Sequence, residues 1–400
     1  MVLRIKQHPL LVNLVKNWFK IGILAVLIIG TVMISGCTNT GSTIPAPQGT
    51  TPQTVAIATT TIPNASIPAT TQPGLTTSSQ TIVVQPRGVA DPAFVVDVMI
   101  PEKIAPGTTL LGDLHDLSRL RIIEVNMLGE IVWEYDVPDD LKDYNNPGFS
   151  VVPLQNGNIL AAFPRNGVYE INRTSKDVVW KFIDSKASHD AERLENGNTL
   201  IVDGGYGRDT MEDAQVIEVN PQGQVVWSWY AKDHGFNQAP YNTINQDGWT
   251  HTNAASRLQN GDTLISMRNF NFTVVVDRDG KVVRTNGEGI MSYQHDPEIE
   301  PNGNILFANP GMPPQAIEID PTGKVVWKYT IPPDIRFSSL NTRDADRLQN
   351  GNTLITTGHR LIEVTPQYEI VWQFKLKDIQ FANVTDVQSR GFYKAIRIPA

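Results

Sequence analysis

His189-Asp190-Ala191-Glu192-Arg193-Leu194-Glu195-Asn196-Gly197-Asn198-Thr199-Leu200-Ile201 leads, through Gln215–Val219, to Val225-Val226-Trp227. Asn196-Gly197 is a two-residue hairpin signal between runs of strand-forming residues. It predicts an inner strand over Ala191–Leu194, a return strand over Thr199–Val202, a third over Gln215–Val219 and an outer fourth over Val225–Tyr230. Looser copies of the phrase centre on Asn156-Gly157, Asn260-Gly261, Asn302-Gly303 and Asn350-Gly351. The closing strand recurs at Trp133, Trp180, Trp227, Arg284 (in the Trp slot), Trp327 and Trp372, in steps of 47, 47, 57, 43 and 45 residues. Four short antiparallel strands repeating at that period make one propeller blade. The expected fold is therefore an all-β, six-bladed β-propeller.

The first and last copies are each incomplete, and together they make one blade. Gly107–Leu111 matches a return strand, with Ile122–Val125 and Ile131–Tyr135 after it, and no inner strand precedes it in register. At the other end Ala395-Ile396-Arg397-Ile398-Pro399 matches the inner-strand phrase. The C-terminal strand is expected to close the ring, which removes open sheet edges.

Ahead of the propeller the composition changes twice. Arg4, Lys6, Lys16 and Lys20 precede an apolar run from Ile21 to Ile34, and Ile34-Ser35-Gly36-Cys37 follows. A basic start, an apolar stretch and small residues at a cut form an export pattern. The last four residues resemble the lipobox of lipoprotein signals, which implies cleavage before Cys37 and lipid on its sulfur; an uncleaved anchor is the other reading. Thr38 to about Gln85 is Thr, Ser, Pro and Ala with almost no charge, a composition expected to stay disordered as a stalk. The organisation read from these shifts is a signal peptide over 1–36, a stalk over 37–88 and a propeller over 89–400. The protein is expected outside the cytoplasm, held at the outer face of the membrane by lipidated Cys37. Cys37 is the single cysteine, so no intramolecular disulfide forms. A net charge of −8 leaves no basic footprint for nucleic acid.

Inner strands line a propeller's channel, so residues just before them ring its mouth. Seven residues ahead of each Asn-Gly turn stand Phe149, His189, Asn253, His295 and Arg343, and alignment of the split blade adds Tyr393. His251 lies two residues before Asn253, and Arg268 ends the return strand of the same repeat. Three imidazoles, two guanidiniums and an amide converge on one opening. His115 and His359 follow return strands and His234 lies in a loop; no role is assigned to them.

In order, His189-Asp190, His251-x-Asn253, Arg268 and Gln294-His295-Asp296 resemble the arylsulfate sulfotransferases, a family of six-bladed propellers. The likeness spans roughly Thr108 to Pro399 and implies that His295 is the nucleophile taking the sulfuryl group. It also implies that His189, His251 and Arg268 act with His295 and hold the sulfuryl oxygens, with Asn253 in support. Arg343 and Tyr393 are read as substrate-binding from their place in the mouth ring alone, and the resemblance gives Arg343 no clear role. The partners implied are an aryl sulfate donor and a phenolic acceptor, with no cofactor and no metal. The residue types suit that chemistry. Moving an anionic group between oxygens is chiefly positioning and charge stabilisation. A neutral imidazole can attack sulfur to give a sulfohistidine. Arg268 offers a planar fork to two oxygens, and a protonated His251 or His189 could serve the departing phenolate.

Other classes stay open at this point. The same mouth could belong to a non-catalytic surface propeller that binds an anionic ligand or a partner, since fold does not decide function. A quinone-dependent dehydrogenase would have eight blades and often a vicinal cysteine pair. Three histidines could hold zinc, but Arg268 beside them would repel it.

Overall fold

The computed structural model describes residues 86–141, 149–204, 207–332, 342–377 and 390–400. The signal segment, the lipobox with Cys37 and the stalk as far as residue 85 lie outside the described residues, while Pro86 and Gly88 at the expected end of the stalk already bond to Asn126 and Glu130 of blade 1. Six antiparallel sheets form the blades of a propeller, four of them with strands in sequential order and two that take in a strand from the other end of the chain. The blade read most directly from sequence consists of Ala191–Arg193, Thr199–Val202, Val216–Val219 and Val225–Trp229, within a residue or so of expectation.

Blade 1 is built from both ends of the chain. Its inner strand is Phe392–Pro399, and its other strands are Gly107–Asp113, Arg121–Val125 and Ile131–Asp136. Ala395 pairs with Leu111, Ile396 with Leu110 and Arg397 with Thr109, so the C-terminal strand closes the ring as expected. A second closure has no counterpart in the repeat. Phe94–Met99 lies antiparallel to Ile370–Leu376 and becomes a fifth, outermost strand of blade 6. Two crossings, one inner and one outer, thus fasten blade 1 to blade 6.

The core lies in the seams between blades. Leu111, Ile123, Val125 and Phe392 of blade 1 pack on Leu354, Leu361, Trp372 and Phe374 of blade 6, all essentially fully buried. Burying each such side chain stabilises the fold by roughly 1.5–3 kcal/mol.

A polar stitch recurs at the base of the seams. A Glu on the third strand of one blade binds an Arg from the next blade, and that guanidinium covers the Trp of the closing strand. Glu170 meets Arg193 at 3.0 Å over Trp180, and Glu218 meets Arg257 at 2.7 Å over Trp227. Glu318 meets Arg347 at 2.6 Å over Trp327, and Glu363 meets Arg397 at 3.0 Å over Trp372. Between blades 1 and 2, Pro153 occupies the inner-strand slot, and Arg173 reaches Glu124 from a turn while covering Trp133. The tryptophans of Val-Val-Trp are thus seam residues. Between blades 4 and 5 the equivalent positions are Val275, Arg284 and Ile299, and no such stitch forms among the described residues.

Candidate active site

The inner strands of blades 4 and 5 are Thr252–Arg257 and His295–Ile299, and the irregular pairing at their first residues marks where the chain bends into the mouth. A bulge re-aims a side chain and ends regular pairing. Here three residues take left-handed conformations, His251 (φ 47°) ahead of the blade 4 strand and Tyr293 (φ 54°) and Asp296 (φ 44°) at the start of the blade 5 strand. Such conformations are uncommon for non-glycine residues and collect where function fixes geometry.

The structure brings the predicted residues together. The rings of His189 and His251 lie 5.0 Å apart between centroids, and Tyr393 lies 6.0 Å from His189 and 6.3 Å from His295. Tyr393 therefore bridges the two outer histidines. Arg268 sits over the Tyr293 ring at 4.7 Å, donates from Nη1 to Asn269 Oδ1 at 3.0 Å and lies 3.9 Å from Asp247.

Hydrogen bonds orient the imidazoles. His295 Nδ1 is 2.8 Å from the Tyr293 carbonyl, and His251 Nδ1 is 2.7 Å from the Asp247 carbonyl. A carbonyl only accepts, so Nδ1 carries the proton in both rings and the neutral lone pair falls on Nε2. His189 Nδ1 lies 2.6 Å from Ser188 Oγ.

Burial sets the charge of these rings. It pushes the His189 pKa well below the ordinary histidine value, with His251, His295 and Arg268 adding to the effect. Burial and then Arg268 push His251 down to about 3, and the same two causes, in the same order, push His295 well below its ordinary value. The free mouth therefore differs from the sequence expectation in one respect. Its permanent cations are arginines, while the histidines are held neutral, because an imidazolium would have to be desolvated beside a guanidinium.

Two further mouth residues make structural contacts. Asn253 donates from Nδ2 to the Gln294 carbonyl at 2.8 Å, tying blade 4 to the residue before His295. Arg343 is buried and donates from Nη1 to the Phe392 carbonyl at 2.6 Å, anchoring the strand that carries Tyr393. Phe149, also in the ring, packs at 5.4 Å on Phe163. His115 pairs with Asp113 at 2.6 Å, and His234 stacks on Trp229, both apart from the cluster.

Sequence reasoning passed over Asp209. Its buried carboxylate accepts from the backbone N–H of Trp249 (3.1 Å), Thr250 (2.7 Å) and His251 (3.2 Å) and from Thr250 Oγ1 (2.7 Å). It thus cradles the segment that presents His251. Gly248 permits the approach: at φ 89°, a Cβ there would meet Asp209 Oδ1 at 2.1 Å. No spacing in the sequence announces a carboxylate whose partners are backbone amides.

No curated protein matches this chain in sequence. A Bacteroides caccae protein of unknown function is 17% identical, with a TM-score of 0.49 over 70% of this chain and 96% of that one. A streptogramin B lyase structure is 11% identical, with a TM-score of 0.45 over 72% and 89% of the two chains. The virginiamycin B lyase of Staphylococcus aureus is 12% identical, with a TM-score of 0.40 over 57% and 70%. Likenesses this low say nothing about activity. The profile of one family does match, and its span contains His189, His251, Asn253 and Arg268 and ends four residues before His295: residues 112–291 of this six-bladed propeller match the arylsulfotransferase (ASST) family.

Proposed function

We propose that the protein is an arylsulfate sulfotransferase working through a sulfohistidine at His295. The observation that carries this reading is the His295 imidazole held through Nδ1 by the Tyr293 carbonyl, which leaves the Nε2 lone pair available, at the same mouth as Arg268, which with burial disfavours the imidazolium. An aryl sulfate would seat its anionic oxygens against Arg268 and against His189 and His251. The Nε2 lone pair of His295 attacks sulfur, an N–S bond forms, the ester S–O bond breaks, and its electron pair leaves on the phenolate. A phenolic acceptor, its proton released to solvent, then attacks the same sulfur as the phenolate, and the N–S bond returns its pair to the ring. Low basicity at His189 and His251 in the free site means that neither is a ready proton donor, so acidic phenols, which leave as phenolates, should be the better donor esters. Tyr393, between the two histidines, offers an aromatic edge to the substrate ring.

The location read from sequence belongs to the same proposal: export, and anchorage at the outer membrane face through lipidated Cys37. An aryl sulfate is its own activated donor, so the reaction needs no cytoplasmic nucleotide. Intact-mass analysis of the membrane-bound protein should show Cys37 as a lipidated first residue; an unmodified full-length N-terminus overturns that part.

The test of the activity is incubation with 4-nitrophenyl sulfate, with and without phenol. Nitrophenolate should stop near one equivalent without phenol and turn over with it, in ping-pong fashion. His295→Ala should abolish both the turnover and the sulfated protein. A wild type inert toward every aryl sulfate would favour the non-catalytic, anion-binding propeller.

A further inference from the structure

Below the mouth, alternate residues of the inner strands continue down the channel, because strand side chains repeat every second position. The first ring down is Ser150, Asp190, Ala254, Asp296, Asp344 and Lys394; the next is Val152, Glu192, Ser256, Glu298, Asp346 and Ile396. Six carboxyls and one ammonium therefore share the axis. On one side the charges are matched: Asp190 accepts from Ser150 Oγ at 3.1 Å, and Lys394 Nζ lies 3.6 Å from Asp190 and 2.7 Å from Asp296.

On the other side carboxyls outnumber cations, for Lys394 is shared between Asp190 and Asp296. Asp296, Glu298 and Asp346, from blades 5 and 6, each place a carboxylate oxygen within 4.8 Å of the others. Asp344 lies against them and is 1% exposed. Its Oδ2 accepts from the Ala395 amide at 3.1 Å, while Oδ1 is buried and meets no donor outside the carboxyl cluster itself. Buried carboxylates without partners are costly unless a cation or a proton completes them.

We propose that Asp296, Glu298 and Asp346 form a site for one hard divalent cation, of the calcium class, with Asp344 as a further oxygen ligand. Oxygens up to 4.8 Å apart are spanned by one ion at the roughly 2.3–2.6 Å of Ca–O bonds. All the ligands are carboxylates, with no imidazole or thiolate among them, which disfavours zinc. They come from two strands in an irregular arrangement, which suits calcium's variable coordination better than magnesium's strict octahedron. The ion would lock blade 5 to blade 6 directly beneath the mouth. Through Asp296 it would also fix the left-handed turn that carries His295.

The experiment uses the full chain, stripped with EDTA and exchanged into metal-free buffer. Ca2+, Mg2+ and Mn2+ are then titrated singly, with calorimetry for stoichiometry and thermal melting for stability. One equivalent of Ca2+ should bind and raise the melting temperature by several degrees, and Asp346→Asn and Glu298→Gln should lose both effects. Both variants remove buried charge, so in chelator they should melt at or above the stripped wild type, which separates lost binding from failure to fold. No heat and no melting shift with any of the three ions would overturn the site and leave shared protons with Lys394 as the cluster's neutralisation. Binding that survives both substitutions would place the ion elsewhere and overturn it equally.

Discussion

Replacing Arg397 by alanine should cost far more than replacing Arg257, although both occupy the same slot of the repeat. Arg397 lies on the strand that closes the ring, and its side chain is 2% exposed against Glu363 at 0%. Its Nε donates to Thr109 Oγ1 at 3.0 Å, Nη1 donates to Glu363 at 3.0 Å and to the Ala105 carbonyl, and the guanidinium covers Trp372 at 5.0 Å. Removing one partner of a buried pair costs about 3–5 kcal/mol, chiefly by stranding the other charge, and the lost cation–π contact adds about 1 kcal/mol. Glu363 keeps two donors, the Ala105 amide and Asn352 Nδ2, both at 2.7 Å, which holds the total near the middle of that range. Arg257 is 22% exposed, with one close carboxylate at 2.7 Å, and its loss should cost about 1–2 kcal/mol. Urea unfolding followed by tryptophan fluorescence would measure both. Adding Glu363→Gln to Arg397→Ala should recover about 2 kcal/mol, because the stranded charge is gone. Equal costs at the two positions, or no recovery in the double variant, would refute the claim that burial at the closure sets the magnitude.

Three other outcomes are expected. Arg268→Ala should lower transfer from 4-nitrophenyl sulfate by about a hundredfold or more with little change in melting temperature, as loss of transition-state charge stabilisation does; turnover near wild type would remove Arg268 from the site. Asp203 is 8% exposed, and burial followed by the nearby Asp184 pushes its pKa to about 7. A raised carboxyl pKa stabilises the fold fully below about 4, and that contribution is lost as pH rises through about 7, by up to ~4 kcal/mol. Asp203→Asn should therefore melt higher than wild type at pH 8.5 with a smaller gap at pH 5, and a gap independent of pH would contradict this. Amide exchange at the base of blades 4 and 5, around Val275 and Ile299, should be faster than at the matching strands around Glu218 and Arg257, since the Glu–Arg stitch is missing there; equal protection would mean the stitch is without energetic weight.

What the sequence revealed depended on whether a residue's role follows the repeat. The Asn-Gly turns fix the hairpin, the hairpin fixes register, and register puts His189, Asn253, His295 and Arg343 at one height, with Tyr393 added by the match of Ala395 to the inner-strand phrase, so the mouth is legible in the sequence. The strand Phe94–Met99 was not, because it carries no turn phrase and pairs with a strand 270 or more residues away. Asp209 was not, because backbone amides leave no trace in side-chain spacing. The carboxyls under the mouth were legible in part. Asp190 and Asp296 alternate away from the histidines, but that the alternation points them into a shared channel, with Lys394 among them, required the ring to be closed.

The weakly stitched seam is also the seam that carries His295. At its base, Val275, Arg284 and Ile299 replace the Glu, Trp and Arg found between other blades. At its mouth the contacts are dense: Asn253 donates to the Gln294 carbonyl, and Gln294 Nε2 donates to Ser266 Oγ at 3.1 Å and to the Phe272 carbonyl at 3.0 Å. The Tyr293 amide donates to Asn271 Oδ1 at 2.8 Å, and Arg268 covers the Tyr293 ring. Blades 4 and 5 are therefore joined polar-group to polar-group through the segment that presents the proposed nucleophile. Elsewhere an inner strand is also held at its base by the Glu–Arg stitch. At this seam the residues that aim His295 are the residues that hold the blades, so a change such as Asn253→Ala should loosen the seam and misplace the imidazole together. Its loss of rate should track its loss of local protection at Gln294, whereas Arg268→Ala should separate the two.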